Sequence, residues 1–161
     1  MTVNTVKRSQ FATYLNTVPA GPAAYELIGD GITTAAINYN PQTTEEVYIH
    51  QDSGSTSLES YKPNMPIEAE AKKGDAAFDF VDGLRKSRAV LSAAETDIVN
   101  VWLYETPTAG AYPAEKQNVS ISIDNFGGEG GKAAKVSYTI SFLGNPVAGT
   151  FNPTTKAFVA S

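Results

Sequence analysis

Catalysis needs nucleophiles, bases or metal ligands at suitable spacing, and this sequence offers few of them. His50 is the single histidine, and it stands close to Asp52 and Ser53. A Ser/His/Asp relay is assembled from distant segments, and the sequence contains no nucleophile-elbow motif. We therefore interpret His50 as a surface residue at a strand end. Because the chain has no cysteine, disulfides, thiolate metal sites and a cysteine nucleophile are excluded.

A glycine-rich segment matches a phosphate-binding loop only superficially. Residues 125–132 read NFGGEGGK, but Phe126 stands where the first glycine of a P-loop belongs. Ala133 stands where Ser or Thr would bind magnesium. Strand-like segments flank the glycines on both sides, whereas a P-loop leads from a strand into a helix. We interpret the segment as a hairpin loop.

Two pairs of carboxylates are further candidates for acid–base or calcium chemistry. Glu45 and Glu46 are adjacent, so in a strand their side chains point to opposite faces. Glu68 and Glu70 share one face of a predicted strand with Lys72. Mixed charges on one face favour a solvated or interface stripe over a catalytic pair.

Two aromatic residues suggest a binding surface. Trp102 and Tyr104 would share a face of another predicted strand, where they suit a sugar platform or, more readily, a core or subunit contact. No catalytic set, metal site or cofactor site emerges from the sequence. We therefore predict a protein that is not an enzyme and that uses no cofactor.

The composition is that of one acidic globular domain. The 161 residues include 12 Lys and Arg against 17 Asp and Glu, for a net charge of −5. An acidic chain is poorly suited to holding nucleic acid phosphates, which requires clustered Lys and Arg. The sequence shows no apolar run of signal-peptide length and none near the roughly 20 residues of a membrane span. We expect a protein assembled in the cytoplasm, without a membrane partner.

Hydrophobic periodicity predicts the fold class. Phe78, Val81 and Leu84 recur at helical spacing after Asp75, a residue suited to the N-cap. Elsewhere short runs alternate apolar and polar residues, which is typical of strands. These patterns predict a mainly β fold of two packed antiparallel sheets, a sandwich or barrel, with one short flanking α-helix and long loops. The alternating runs lie at residues 32–39, 46–50, 67–72, 98–104, 119–124 and 136–142.

The same pass suggests how the domain is organised. Residues 1–24 are interrupted by prolines and a glycine, so we interpret them as an N-terminal arm or leader. Residues 25–161 then form a single domain with a C-terminal extension after Phe151. The segment 51–66 is long and polar, and we predict that it is a loop. Long loops in small domains are usually functional or mobile.

Several short motifs take the interpretation further. In chain order they are Gly29-Asp30-Gly31 before Asn38-Tyr39-Asn40-Pro41, then Leu58-Glu59-Ser60-Tyr61-Lys62-Pro63, then Gly74-Asp75 with Leu84-Arg85, then Asn125-Phe126-Gly127-Gly128, Tyr138-Thr139-Ile140 and Gly149-Thr150-Phe151. Their order and spacing over residues 25–152 resemble the major tail tube protein of long-tailed, siphovirus-like bacteriophages of Gram-positive hosts.

The resemblance implies an assembly. Six copies would form a ring in which one sheet from each subunit contributes to a barrel around a central channel. Rings would stack into the tail tube of the virion, and DNA would pass through it without specific binding. The implied partners are further copies of the chain, the tape measure protein, and the tail tip and tail terminator proteins.

The resemblance also suggests roles for particular residues. The segment 51–66 would contact neighbouring subunits and rings, and hydroxyls and carboxylates would suit the channel wall. The candidate inter-subunit residues are Asp52, Leu58, Tyr61, Lys62 and Pro63. The candidate lumen-facing residues are Glu68, Glu70, Ser120, Ser122 and Asp124.

Other functional classes remain open at this point. One is a surface or receptor-binding β-sandwich module, such as an adhesin or a carbohydrate-binding module. A second is an enzyme on a β-sandwich or jelly roll, for which no catalytic set is visible. A third is a tube-forming protein of a secretion apparatus, which would share the architecture but not the phage.

Overall fold

The computed structural model describes residues 2–161. Antiparallel strands dominate this part of the chain, and one α-helix interrupts them. The helix, α1, comprises Ala76–Ser87. The strands are β1 (Phe11–Asn16), β2 (Tyr25–Leu27), β3 (Pro41–Glu46), β4 (Ser55–Tyr61), β5 (Asn64–Glu70), β6 (Glu95–Trp102), β7 (Tyr112–Gly127), β8 (Lys135–Asn152) and β9 (Ala157–Ala160).

The strands form two antiparallel sheets of very different size. Seven strands form a sheet in the order β2-β1-β6-β7-β8-β5, with β9 paired to the end of β8, and this sheet curves almost into a barrel. The other sheet is the two-stranded hairpin β3-β4. The predicted fold class, mainly β with two antiparallel sheets, one helix and loops, is confirmed.

The long hairpin of β7 and β8 is the centre of the large sheet. Its strands have 16 and 18 residues, and they pair from Tyr112 opposite Phe151 to Gly127 opposite Lys135. The connecting turn needs glycine, because Gly127, Gly128 and Gly131 have positive φ values that other residues rarely adopt. The glycine-rich segment is therefore a hairpin loop, as predicted.

Helix α1 covers one face of this sheet. Its buried side chains Ala77, Phe78 and Val81 pack into the larger of two apolar clusters. The strands supply alternate residues to the same cluster: Leu15, Met65, Ile67, Ala69, Ile98, Val119, Ile121, Val136, Tyr138 and Ile140. Alternation along a strand sends every second side chain to the opposite face. The residues between these positions therefore face away from the helix.

The helix begins and ends as its sequence predicts. Asp75 has the extended backbone angles of an N-cap residue. Arg88 ends the helix in the left-handed conformation, with φ of 50°. This helix is not long and apolar enough to cross a membrane, and residues 2–161 contain no other that is.

A second apolar cluster lies on the other face of the sheet, near its opposite end. Tyr14 and Phe151 meet there with ring centroids 4.5 Å apart, and Tyr25 contacts the same ring edge-on at 5.9 Å. The Tyr25 hydroxyl donates a hydrogen bond of 2.6 Å to Asp97. Burial first, and then this bond, raise the pKa of Tyr25 above its ordinary value. Burial also raises the pKa of Tyr138 in the first cluster.

The prediction that residues 1–24 form an arm is wrong for the middle of that segment. Residues 11–16 are β1, which lies between β2 and β6 and is almost wholly buried. Polar side chains fix it there: Thr13 donates a 2.9 Å hydrogen bond to the Asn100 side chain, and Thr96 donates one of 2.7 Å to the Asn16 carbonyl. The sequence of β1, FATYLN, has no regular alternation of polar and apolar residues, and periodicity therefore did not predict this strand.

Two further predictions need correction. The run at 32–39 is not a regular strand but lies along the outer edge of β5, held by isolated bridges such as Ala35 with Ile67. Gly31 allows this approach, because its φ is +79° and a Cβ there would lie 3.2 Å from the Glu70 carbonyl oxygen. The supposed C-terminal extension turns at Asn152 and returns as β9, paired with β8.

The buried tyrosines predict a loss of stability at alkaline pH. A phenol whose pKa is higher in the folded state stabilises the fold fully below its unfolded value of about 10, and this stability is lost as pH rises through the folded value. We expect the free energy of unfolding to fall above about pH 10. In the Tyr138→Phe variant it should fall less steeply, because one raised phenol pKa is removed. Urea titrations between neutral and alkaline pH measure both. Complete tyrosinate formation with the fold intact would contradict this.

Candidate functional site

The five candidate lumen-facing residues lie on one face of the large sheet. Pairing places Glu68 opposite Ser137 and Ser122 opposite Thr139, and cross-strand partners share a face. Asp124 joins them, since the Thr139 hydroxyl donates a 3.0 Å hydrogen bond to its carboxylate. The neighbours of these residues along each strand, such as Ile67 and Ile121, are buried beneath α1. Alternation along the strands thus places these five residues on one face, although β5 and β7 are far apart in the sequence.

This polar face extends across four strands and carries mostly carboxylates and hydroxyls. We call it the polar face; its members are Glu68 and Glu70 on β5, Ser137, Thr139 and Ser141 on β8, Ser120, Ser122 and Asp124 on β7, and Glu95 and Asp97 on β6. Lys135 also borders it and lies 3.3 Å from Glu68. Both partners are more than half exposed, so this ion pair adds about 0–1 kcal/mol.

The chemistry open to the polar face is hydration and weak repulsion of anions. Its side chains include no histidine or thiol beside a serine, so no nucleophile–base pair is assembled there. Within residues 2–161, no three Asp, Glu or His side chains lie close enough together to hold a metal ion. A sheet face of this kind presents a wet, mildly acidic wall.

The predicted loop at 51–66 is wrong, because most of it is strand. Residues 55–61 are β4, which pairs with β3, and β5 already begins at Asn64. Short polar side chains such as Ser and Thr gave no apolar alternation, because both faces of the hairpin are exposed. The segment is thus an ordered β-hairpin, which we call the β3–β4 hairpin.

The candidate inter-subunit residues are distributed along this hairpin. Asp52 lies in its turn, and Leu58 and Tyr61 lie on β4 with about half of each side chain exposed. Lys62 and Pro63 connect β4 to β5. At the hairpin base the Lys62 amide donates a 3.2 Å hydrogen bond to the Tyr39 carbonyl, which closes the two strands together.

The apolar tip of the hairpin was missed by the sequence analysis. Val47, Tyr48 and Ile49 were predicted to be strand, but β3 ends at Glu46 and all three side chains are exposed, Ile49 completely. His50 stacks on Tyr48 with ring centroids 6.3 Å apart, so it belongs to the tip. An apolar triplet directly after an acidic pair was the available signal.

The proposed aromatic platform does not form. β6 ends at Trp102, whose strand partner is Phe11, and Tyr104 lies in the turn that follows. The two rings therefore do not share a strand face, which is the arrangement that a sugar platform on this strand would need.

Comparison with solved structures identifies proteins of the same fold. A chain from the tail of an empty gene transfer agent particle, determined by helical refinement with C6 symmetry, aligns over 97% of this chain and 100% of its own length. The TM-score is 0.63 and the identity 12%. The sheath/tube terminator of an extracellular contractile injection system, PVC, in its extended state aligns over 92% and 99%, with a TM-score of 0.53 and 11% identity.

At these identities the comparisons establish a shared fold over the whole domain. No protein-family model matches the chain, and no curated protein matches its sequence. The similarity is not confined to the β7–β8 centre, since 97% of this chain aligns.

The β3–β4 hairpin should be removable without loss of the fold. Its residues bury little surface, and replacing residues 42–60 by a short Gly-Ser linker changes loop-closure entropy only slightly. We expect the free energy of unfolding to change by about 1 kcal/mol or less, measured by urea denaturation. The matched control, Leu15→Ala in the core, should lose about 2–5 kcal/mol. An unfolded hairpin deletion would show that the hairpin supports the core.

Proposed function

We propose that this chain is a structural subunit of a phage-like tail, which assembles into hexameric rings that stack as a tube. DNA passes through the channel during delivery and is not specifically bound. The chain acts without a cofactor, is assembled in the host cytoplasm and becomes part of the virion tail. Its partners are further copies of itself, the tape measure protein, the tail tip and the tail terminator.

The observation that carries the proposal is the fold match over the whole length. The gene transfer agent chain comes from a tail with C6 symmetry, and it aligns with 97% of this chain. A fold does not by itself define a function, so the proposal also rests on the surfaces of this chain.

The polar face supports the conduit role. Duplex DNA carries about one negative charge per 1.7 Å of axis, so a wall rich in Lys and Arg would hold it. The polar face presents Glu68, Glu70 and Asp124 with serine and threonine hydroxyls, and Lys135 is paired with Glu68. Repulsion between such carboxylates and DNA is screened within about 10 Å at moderate salt. A mildly acidic, hydroxylated wall lets DNA slide.

The position of the polar face also supports the conduit role. Helix α1 occupies the other side of the sheet, where it buries the apolar cluster. A channel wall built from this sheet would therefore use the side that the helix leaves free, with α1 towards the outside. The β3–β4 hairpin is then the element that reaches a neighbouring copy.

A second candidate function is that of a terminator, which caps a tube instead of extending it. The match to the sheath/tube terminator, at a TM-score of 0.53, favours this alternative. The two functions differ in self-assembly: a tube subunit stacks ring on ring, whereas a terminator stops at one ring.

Cysteine accessibility tests the conduit directly, because the chain has no native cysteine. Ser122→Cys places one thiol on the polar face, and Lys73→Cys places one on the helix side, where the lysine side chain is 84% exposed. We expect purified protein to sediment as tubes. In tubes, a small maleimide should label both variants, and a polymer-linked maleimide too large for the channel should label only Lys73→Cys.

The outcomes separate the alternatives. Single rings that never stack would favour the terminator. Equal labelling of Ser122→Cys by the large reagent in tubes and in monomers would place the polar face outside the channel. A protein that stays monomeric at every concentration, alone and with tail tips present, would overturn the proposed assembly.

A further inference from the structure

A groove lies between the end of α1, the segment 88–94 and β7. Its volume is about 830 Å³. Its lining carries three cations, Arg85, Lys86 and Arg88, one carboxylate, Glu95, and the apolar side chains of Val90, Leu91 and Ile123. It lies at the free edge of β7, where Ser120 and Ser122 of the polar face line one side and the end of α1 lines the other. Neither the conduit nor the core explains its exposed apolar residues.

The groove combines positive charge with exposed apolar surface. Arg85 and Lys86 both bind the buried carboxylate of Asp82, at 2.6 and 3.1 Å, which fixes them at its rim. Arg88 is exposed and forms no salt bridge with any residue in the range 2–161. Between them Val90 is 69% exposed and Leu91 85% exposed. Leu91 also has φ of +54°, which is unusual for a residue with a branched side chain.

An open strand edge forms the floor of the groove. β6 begins at Glu95, opposite Ser120, so β7 from Ile121 to Gly127 has a strand neighbour only on the β8 side. An unpaired edge is a template for a further strand from another chain. The groove therefore offers a strand edge, apolar contacts and cations together.

The β3–β4 hairpin has the complementary chemistry. Residues 41–61 contain four carboxylates, Glu45, Glu46, Asp52 and Glu59, and no Lys or Arg. The apolar tip at Val47, Tyr48 and Ile49 follows the acidic pair directly. Strands of six and seven residues extend about 20 Å, which is enough to bridge to a neighbouring molecule. The N-terminal segment is a poorer fit, because Lys7 and Arg8 would repel the cations of the groove.

We propose that the tip of the β3–β4 hairpin of one copy binds the groove of the next copy, with one carboxylate of the Glu45–Glu46 pair against Arg88 and the apolar tip against Val90 and Leu91. This inference rests on the proposed self-assembly and names the contact that drives it. In a ring the hairpin of each copy would bind the groove of the next, so the contact is head-to-tail and repeats from copy to copy.

Charge reversal on the two surfaces tests the contact. Glu45→Lys with Glu46→Lys, and separately Arg88→Glu, should each raise the concentration needed for assembly about tenfold or more, measured by sedimentation. With all three changes combined in one chain, the concentration needed for assembly should return most of the way to the wild-type value. Arg88 is used because Arg85 and Lys86 also hold Asp82. Matched controls are Glu59→Lys near the hairpin base and Lys73→Glu at the other end of α1, which should assemble normally.

Cross-linking gives an independent readout that does not depend on charge variants. The two single variants Ile49→Cys and Leu91→Cys are mixed and treated with a short bifunctional thiol-reactive cross-linker. We expect cross-linked pairs that contain one molecule of each variant. Ile49→Cys mixed with Val159→Cys, a position 64% exposed on β9, should yield none.

Failure of this inference can be told from failure of the proposed function. If the wild type assembles but the reversals have no effect and the Cys pair does not cross-link, the hairpin binds elsewhere and the conduit stands. If the single reversals weaken assembly but the combination does not restore it, the charged residues do not face each other. If the wild type never assembles, the proposed function itself fails.

Discussion

The burial of one face of the β5–β8–β7 sheet beneath α1 is the constraint on which the rest of the structure depends. Val81, Val119, Val136 and Ile140 are all fully buried at this contact. Burying such side chains contributes about 1.5–3 kcal/mol each before the entropy cost of folding, so slipping a strand by one residue would be very unfavourable. Once the register is fixed, the serines, threonines and carboxylates between these positions must lie on the outer face.

That constraint links folding to the proposed role. Along each strand, the residues of the polar face alternate with the residues that build the core. A shift of a strand would therefore disrupt the core as well as the polar face. The β3–β4 hairpin is under no such constraint, because it buries almost nothing within the molecule. Its acidic strands and apolar tip are therefore free to serve contacts outside the molecule.

The sequence predicted the parts of the fold that local patterns specify. The fold class, the helix after Asp75 and the glycine-rich hairpin between β7 and β8 follow from period and turn chemistry. What it missed depends on long-range partners. In β1, the side chains of Thr13 and Asn16 donate hydrogen bonds to Asn100 and Asp97 of β6, more than 80 residues away.

The hairpin was missed for the opposite reason. β4 reads STSLESY, in which neither face is apolar, because both faces are exposed in the single chain. Nor could the sequence predict the groove, since Arg88 and Ile123 are brought together only by the packing of α1 on β7.

An electron cryo-microscopy reconstruction of the assembled wild-type protein tests the central claim most directly. The account predicts stacked six-fold rings, with the face that carries Glu68, Ser122 and Asp124 towards the axis and α1 towards the outside. A hollow tube in which α1 lines the channel, or a closed assembly without a channel, would contradict it.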